Sequence, residues 1–162
     1  MDYFAEYDSP VGRLVLQSDG ISLTGLWMNG EPDQNAAPAD TLPVLRQAMA
    51  WLDAYFRGEN PVIDFPLAPE GTEFQRQVWE ILRKIPLGQT RSYGSIAREM
   101  AQRIGKEKMS AQAVGGAVGR NPISILIPCH RVVGAQGQLT GYAGGLERKR
   151  WLLDHEGCSY HR

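Results

Sequence analysis

The residues best suited to chemistry are Cys129 and the histidine that follows it, His130. A cysteine reacts as its thiolate, and its ordinary pKa of about 8.5 must be lowered by a nearby cation, an imidazole or a helix N-terminus. His130 and Arg131 are both candidates for this task. In a regular strand, adjacent side chains point to opposite faces, so His130 can act on Cys129 only where the chain turns or a water connects them. Pro128 favours such a turn.

The segment before this pair, residues 121–128, is an isoleucine-rich apolar run bounded by Pro122 and Pro128. This composition predicts a buried strand or an extended core segment that ends at Cys129. A free cysteine is also among the most buried residue types. The segment alone therefore leaves two interpretations open, a reactive thiol and a structural one.

The cysteines and histidines of the 162-residue chain do not form a metal-binding pattern. Two cysteines, Cys129 and Cys158, are too few for a disulfide framework and favour a reducing compartment. The three histidines are not spaced as zinc ligands with them. No leader-like or membrane-length apolar run is present. We expect a cytoplasmic protein with no metal ion, no cofactor and no membrane association.

The two halves of the chain carry opposite charge. Residues 1–70 hold 3 arginines and no lysine against 11 acidic residues, a net charge of −8. Residues 71–162 hold 14 lysines and arginines against 7 acidic residues, a net charge of +7. A basic half favours contact with a polyanion such as nucleic acid, and the alternative is a solvated basic surface. The change coincides with a Pro-Glu-Gly boundary, so we predict two domains, 1–70 and 71–162.

The first half predicts an α+β domain. Alternating residues and turn signals between Tyr3 and Trp27 predict a three-stranded meander, followed by a loop over 29–40. Apolar residues at helical spacing from Thr41 to Arg57 predict one helix that covers the sheet. Pro61 to Pro66 favours either another strand or a linker.

The second half predicts a mainly α-helical domain. Thr72 and Gln75 fit a capping box that starts one helix, and two further helices, one after Gly94 to about Ile104 and one near 110–118, resemble a helix-turn-helix. After Cys129 we expect a hairpin, and then a helix from Leu146 to about His155 with residues 148–150 facing outward.

The helix near 110–118 is unusual because it contains Gly115 and Gly116 and is followed by Gly119. Each glycine costs about 1 kcal/mol relative to alanine in a helix interior. Something must therefore approach this helix closely, either a nucleic-acid backbone or groove, or another helix of the same protein.

Three motifs together resemble the O6-alkylguanine-DNA alkyltransferase family: Ile-Pro-Cys-His-Arg-Val around Cys129, Gly-Tyr-Ala-Gly-Gly at 141–145, and Trp-Leu-Leu-Asp-His-Glu-Gly at 151–157. The resemblance covers about residues 72–157. It implies a ribonuclease-H-like first domain and a second domain with a winged-helix or helix-turn-helix DNA-binding motif. The implied activity is DNA repair by irreversible, single-turnover transfer of an alkyl group from O6-alkylguanine to the cysteine.

The resemblance also implies roles for individual residues. Cys129 would accept the alkyl group, His130 would act through a water as its base, Glu156 would polarise His130, and Asn121 would tie the recognition helix to the active-site segment. The extruded base would be bound by the Tyr142 hydroxyl, the Val132 carbonyl and the Ala143 N–H, while Tyr93 would press on the target phosphate. DNA contacts are implied at Ser92, Gln112, Ala113, Gly115, Gly116, Gly119 and Arg120.

The implied partner is double-stranded DNA carrying O6-alkylguanine, contacted through the minor groove by a monomer.

A departure from the family is Gln112, which stands where an arginine usually fills the gap left by the flipped base. We therefore expect weaker DNA binding or slower flipping unless Lys106, Lys108 or Arg120 compensates. Two other functions remain open: a damage sensor that binds without repair, and a cysteine hydrolase using Cys129 and His130.

Overall fold

The first part of the chain folds into a sheet covered by one helix, as predicted. In the computed structural model, which describes residues 1–161, strands β1 (Tyr3–Ser9), β2 (Gly12–Ser18) and β3 (Leu23–Met28) form the antiparallel meander. Ala5, Leu16 and Leu26 lie opposite one another across these strands and are buried. Helix α1 (Pro43–Phe56) buries one apolar face and contacts all three strands.

A fourth strand, β4 (Ala37–Pro38), lies in the segment that was predicted to be a loop. It pairs in parallel with the start of β1 at the edge of the sheet, giving the order β3-β2-β1-β4. Two residues are too few to show a strand periodicity, and a proline is tolerated only at such an edge. The segment 61–66 forms neither a helix nor a strand, and Leu67 just after it makes a single bridge to Leu23.

The chain divides into two compact units. The first comprises residues 1–70 together with 122–124, and the second comprises 71–121 together with the residues from 125 onward. Residues 122–124 join the first unit through β3, because the N–H of Leu26 donates to the Pro122 carbonyl at 2.9 Å and the N–H of Ser124 donates to the Leu26 carbonyl at 3.0 Å.

The second unit is built mainly from four helices, α2 (Glu73–Arg83), α3 (Tyr93–Ile104), α4 (Ala111–Gly119) and α5 (Leu146–His155). The predicted capping box of Thr72 and Gln75 starts α2, and Ser110 caps α4 as expected. In the core of the unit, the indole N–H of Trp79 donates to the Ala117 carbonyl at 2.9 Å. Helices α3 and α4 are the pair predicted for the helix-turn-helix.

The predicted burial of the segment before the cysteine is confirmed, but two predictions of its secondary structure and of the chain after it are wrong. Residues 124–126 form a turn rather than a strand, because Ile125 adopts a left-handed conformation with φ 72°. The expected hairpin is also absent from the described residues: Gly134 closes a turn onto Gln138, but Gln138 then pairs with His161. Instead, β6 (Val132–Val133) pairs in parallel with β5 (Arg91–Ser92) just before α3.

None of the helices described in residues 1–161 has the length and apolar character needed to cross a membrane.

Candidate functional site

Cys129 lies at the start of a tight turn of backbone. Pro128, with φ −81° and ψ 67°, lets the N–H of Cys129 donate to the Ile127 carbonyl at 2.8 Å, and Cys129–Arg131 then forms one turn of 3-10 helix. This break in the extended chain is the kind of turn that the Cys129–His130 pair requires. Cys129 itself is only 6% exposed.

His130 and Arg131 converge on a single carboxylate. His130 Nε2 lies 2.6 Å from Glu156 Oε2, and Arg131 Nε donates to Glu156 Oε1 at 2.7 Å. Arg131 Nη1 also donates to the Ile85 carbonyl at 2.6 Å. Glu156 is the residue that ends α5 and its side chain is fully buried. The guanidinium charge of Arg131 and the hydrogen bond to His130 compensate a carboxylate that would otherwise oppose the dipole of the helix.

The charges in this cluster determine which of its side chains are protonated. Burial acts to raise the pKa of Glu156, but the hydrogen bonds of His130 and Arg131 and the charge of Arg131 outweigh it and hold that pKa at about 2. Burial lowers the pKa of His130, against the pull of Glu156, so the ring is neutral at rest. Since the carboxylate can only accept, Nε2 of His130 must carry the ring proton. Nδ1 is then the basic nitrogen; it is buried and has no protein partner among residues 1–161.

The thiol of Cys129 experiences opposing influences. Burial raises its pKa, whereas Asn121, the positive charge of Lys149 and, to a smaller extent, Tyr142 lower it. Burial dominates, so the pKa of Cys129 stays above its ordinary value. The resting group is therefore a protonated thiol, and forming the nucleophilic thiolate requires a base.

Asn121 connects α4 to the cysteine segment. Its Nδ2 donates to the Ile127 carbonyl at 2.7 Å, and its backbone N–H donates to the Val118 carbonyl in the last turn of the helix. The same side chain acts to lower the pKa of Cys129. This is the geometry expected of a residue that ties the helix to the active-site segment.

Lys149 corrects the expectation that residues 148–150 all face outward. Its side chain is fully buried, and its Nζ donates to the Val132 carbonyl at 2.7 Å. Burial lowers the pKa of Lys149 to about 8, and the neighbouring Cys129 opposes this shift. Arg148 is partly exposed and Arg150 is exposed. The sequence signal that could have revealed Lys149 is its position three residues before Leu152 and four before Leu153, on the buried face of α5.

Several predicted site residues line one open cavity of about 620 Å³, a volume in the range of small-ligand sites. Its walls come from the start of α3, one face of α4 and the loop before α5. The lining residues are Tyr93, Ala111, Gln112, Gly115, Gly119, Thr140, Gly141, Tyr142 and Ala143. Tyr142 connects the cavity to Cys129, since its side chain also acts to lower the pKa of that thiol.

The surroundings of the glycines in α4 show whether these residues serve packing inside the protein or contact with an outside partner. A Cβ added at Gly116 or Gly119 would meet no heavy atom within 4 Å, and one added at Gly115 would make only ordinary contact, 3.8 Å, with the Tyr93 ring. Packing within the unit therefore does not require glycine at these positions. The bare surface instead suits a partner outside the chain.

The remaining predicted DNA contacts lie outside the cavity lining. Ala113, Gly116 and Arg120 are exposed on or at the end of α4, and Ser92 caps α3 by accepting a hydrogen bond from the Ser95 N–H at 3.0 Å. Within the described part of the chain, no group of three or more His, Cys, Asp or Glu side chains could hold a metal ion.

Comparison with known families accounts for both units. Residues 73–158 match the model of the 6-O-methylguanine DNA methyltransferase DNA binding domain, and residues 3–69 match the ribonuclease-like domain of the same family. The chain belongs to this family. The residues that the three sequence motifs singled out thus lie in a 6-O-methylguanine DNA methyltransferase framework, and the fold predicted from the resemblance is confirmed.

Individual relatives support the same assignment to the methyltransferase family. A methylated-DNA–protein-cysteine methyltransferase of Haemophilus influenzae is 46% identical and covers 98% of this chain and 88% of its own. One from Methanosarcina acetivorans is also 46% identical, covering 96% of this chain and 98% of its own. The crystal structure of Mycobacterium tuberculosis OGT in complex with DNA is 44% identical, covers 96% of this chain and 92% of that one, and has a TM-score of 0.85.

Proposed function

We propose that this protein repairs DNA by moving the alkyl group of O6-alkylguanine onto Cys129. The observation that carries the proposal is the side chain of Tyr142, which lines the open cavity and also acts to lower the pKa of Cys129. A base held in the cavity would lie next to the thiol. The buried pair formed by Glu156 and His130, the residue that follows Cys129, supplies the base that it requires.

The transfer is a displacement at the alkyl carbon. The Cys129 sulfur forms a bond to that carbon while the bond from the carbon to O6 breaks, and the electron pair stays on the guanine. The thiol proton passes to Nδ1 of His130 through a water, and a proton returns to the guanine so that it leaves as the neutral base. The product thioether is stable, so each molecule acts once.

The proton route follows from the tautomer of His130. With Nε2–H donating to Glu156, Nδ1 is ready to accept a proton, and the carboxylate stabilises the imidazolium that forms. Arg131 holds the other oxygen of Glu156 and keeps the carboxylate ionised. The burial that raises the pKa of Cys129 also protects the thiol until a substrate is in place.

Recognition of the base would use the loop and strand next to the cysteine. The Tyr142 hydroxyl and the Ala143 N–H donate to the guanine, and the Val132 carbonyl accepts from its amino group. A carbonyl oxygen has two lone pairs, so the bond from Lys149 to Val132 leaves one available. Asn121 holds this segment in place next to the end of α4.

DNA binding would place α4 in the minor groove, with Gly115, Gly116 and Gly119 allowing close approach. The base must leave the stack before the cavity can receive it, at a cost of a few kcal/mol. Tyr93 presses on the phosphate, Gln112 occupies the gap in the stack, and Ser92, Ala113 and Arg120 contact the backbone. The protein acts as a monomer in the cytoplasm and needs no cofactor.

The test is incubation of the folded protein with double-stranded DNA carrying O6-methylguanine, followed by mass analysis of its peptides. The peptide containing Cys129 gains the mass of one methylation, and the reaction stops after one equivalent. Cys129→Ala gains none but still binds the DNA. Cys158→Ala, which removes the other buried cysteine, reacts like the unaltered protein and serves as the matched control.

Two outcomes would replace the proposal. Binding to the methylated DNA with unchanged peptide mass would make the protein a damage sensor. Repeated turnover of an ester substrate that depends on Cys129 and His130 would make it a hydrolase.

A further inference from the structure

Thr140 is a cavity residue that the three sequence motifs do not include. Its Oγ1 donates a hydrogen bond to the Tyr93 hydroxyl at 2.9 Å, and both residues line the cavity. They lie 47 positions apart in the chain, so the bond joins the start of α3 to the loop that carries Tyr142.

The rest of the Tyr93 side chain is also held in place. Tyr93 is the first residue of α3, following the Ser92 cap, and its ring edge lies 3.8 Å from where a Cβ of Gly115 would be. The ring is therefore fixed near α4 at its side and by Thr140 at its hydroxyl end. Such a group needs little reordering when a ligand arrives.

The direction of the Thr140 bond determines what the Tyr93 hydroxyl can do. A phenol has one proton, and burial, together with the neighbouring Cys129, raises the pKa of Tyr93, so the phenol keeps it. Because Thr140 donates to the phenol oxygen, that proton is available to another acceptor. A hydroxyl that already accepts a hydrogen bond is also a stronger donor.

We propose that Thr140 is a positioning residue that directs the Tyr93 hydroxyl proton toward a DNA phosphate beside the extruded nucleotide. This inference rests on the proposed function and assigns part of its base-flipping step to a second side chain. Thr140 itself touches neither the alkyl group nor Cys129 in this role. An anionic phosphate oxygen is the acceptor that gains most from a strengthened donor.

The experiment measures single-turnover methyl transfer to Cys129 from double-stranded DNA. Thr140→Val removes the hydroxyl at nearly constant volume, Thr140→Ser keeps the hydroxyl, and Thr140→Ala is a second variant in case valine disturbs the loop. Each is tested alone and with Tyr93→Phe. The DNA is also prepared with either phosphate flanking the lesion replaced by a neutral methylphosphonate.

Thr140→Val and Thr140→Ala should slow transfer roughly tenfold, the effect of one hydrogen bond to a charged group, while Thr140→Ser stays within about threefold of the unaltered protein. Neither Thr140→Val nor Thr140→Ala should slow transfer further when Tyr93 is already phenylalanine. With one of the two methylphosphonate substrates, the difference between Thr140→Val and the unaltered protein should disappear.

Equal transfer by Thr140→Val and the unaltered protein would overturn the inference. So would a difference that persists with both methylphosphonate substrates or in the Tyr93→Phe background, since Thr140 would then be shaping the base pocket. Failure of the proposed function looks different, because the unaltered protein would then transfer no methyl group at all.

Discussion

The buried ammonium group of Lys149 donates a 2.7 Å hydrogen bond to the backbone carbonyl of Val132 and acts electrostatically on Cys129. Its positive charge lowers the pKa of a thiol that burial would otherwise raise further. Lys149 thus links α5 to the strand that follows the cysteine and favours formation of the thiolate.

Replacing Lys149 with methionine should therefore slow methyl transfer about tenfold at neutral pH, because the thiolate loses a favourable charge interaction and about 1.4 kcal/mol corresponds to a factor of ten in rate. Because the pKa of Lys149 is about 8, the native charge is lost above that pH. The rate ratio between the native protein and the variant should accordingly be largest below pH 8 and shrink by pH 9. Arg150→Met, an exposed neighbour on the same helix, is the control; a ratio independent of pH would contradict this role.

Glu156 should make the stability of the fold sensitive to acid. Its pKa of about 2 in the folded protein lies below the value of about 4.3 in an unfolded chain. The ionised carboxylate therefore stabilises the fold above about pH 4.3, and this contribution is lost as the pH falls through the folded value. Between pH 6 and pH 3 the loss should be about 2 kcal/mol.

Urea unfolding at those two pH values tests this with Glu156→Gln. The variant should be less stable by about 3 kcal/mol at pH 6, because Arg131 loses its ionic partner, and its further loss at pH 3 should be smaller than that of the native protein. Glu147→Gln, exposed in the first turn of α5, should behave like the native protein. An equal acid-induced loss in Glu156→Gln would contradict the assignment.

Substituting arginine for Gln112 should strengthen DNA binding. Gln112 is exposed on α4 and lines the cavity, so an added charge there should tighten binding severalfold and steepen the logarithmic salt dependence by about one unit. Gln102→Arg adds the same charge to an exposed position of α3. Faster methyl transfer in the Gln112 variant alone would show that position 112 takes part in base extrusion. Equal effects in both variants would show that the added charge acts only through general electrostatic attraction to DNA.

Gly116 should favour DNA binding at the expense of stability. Gly116→Ala should raise the free energy of unfolding by about 0.5–1 kcal/mol, because a Cβ there meets nothing and alanine is the better helix former. Gly116→Leu should weaken DNA binding more than alanine does, whereas Gln102→Leu, the same addition on α3, should leave the affinity unchanged. Undiminished DNA affinity in Gly116→Leu would show that this surface does not meet the DNA.

The helices and the first three strands could be predicted because their signals are local. The capping residues Thr72 and Ser110 and the apolar spacing of each helix are all contained within one or two turns of chain. The edge strand β4 and the β5–β6 pair could not be predicted. Each strand has two residues, and such short strands exist only because a partner distant in the chain supplies the hydrogen bonds.

By itself, the sequence determined which residue is the candidate nucleophile and which family motifs surround it, since these depend on residue type and spacing. Tertiary structure alone decided that Ile125 turns the chain before Cys129, that Lys149 points inward, and that Arg131 shares Glu156 with His130. For the charged residues, the physical reason is that a buried charge is stable only beside compensating groups. Those groups come from segments far apart in the chain. Thr140 belongs with these residues, because its bond to Tyr93 forms only when α3 and the loop before α5 are folded together.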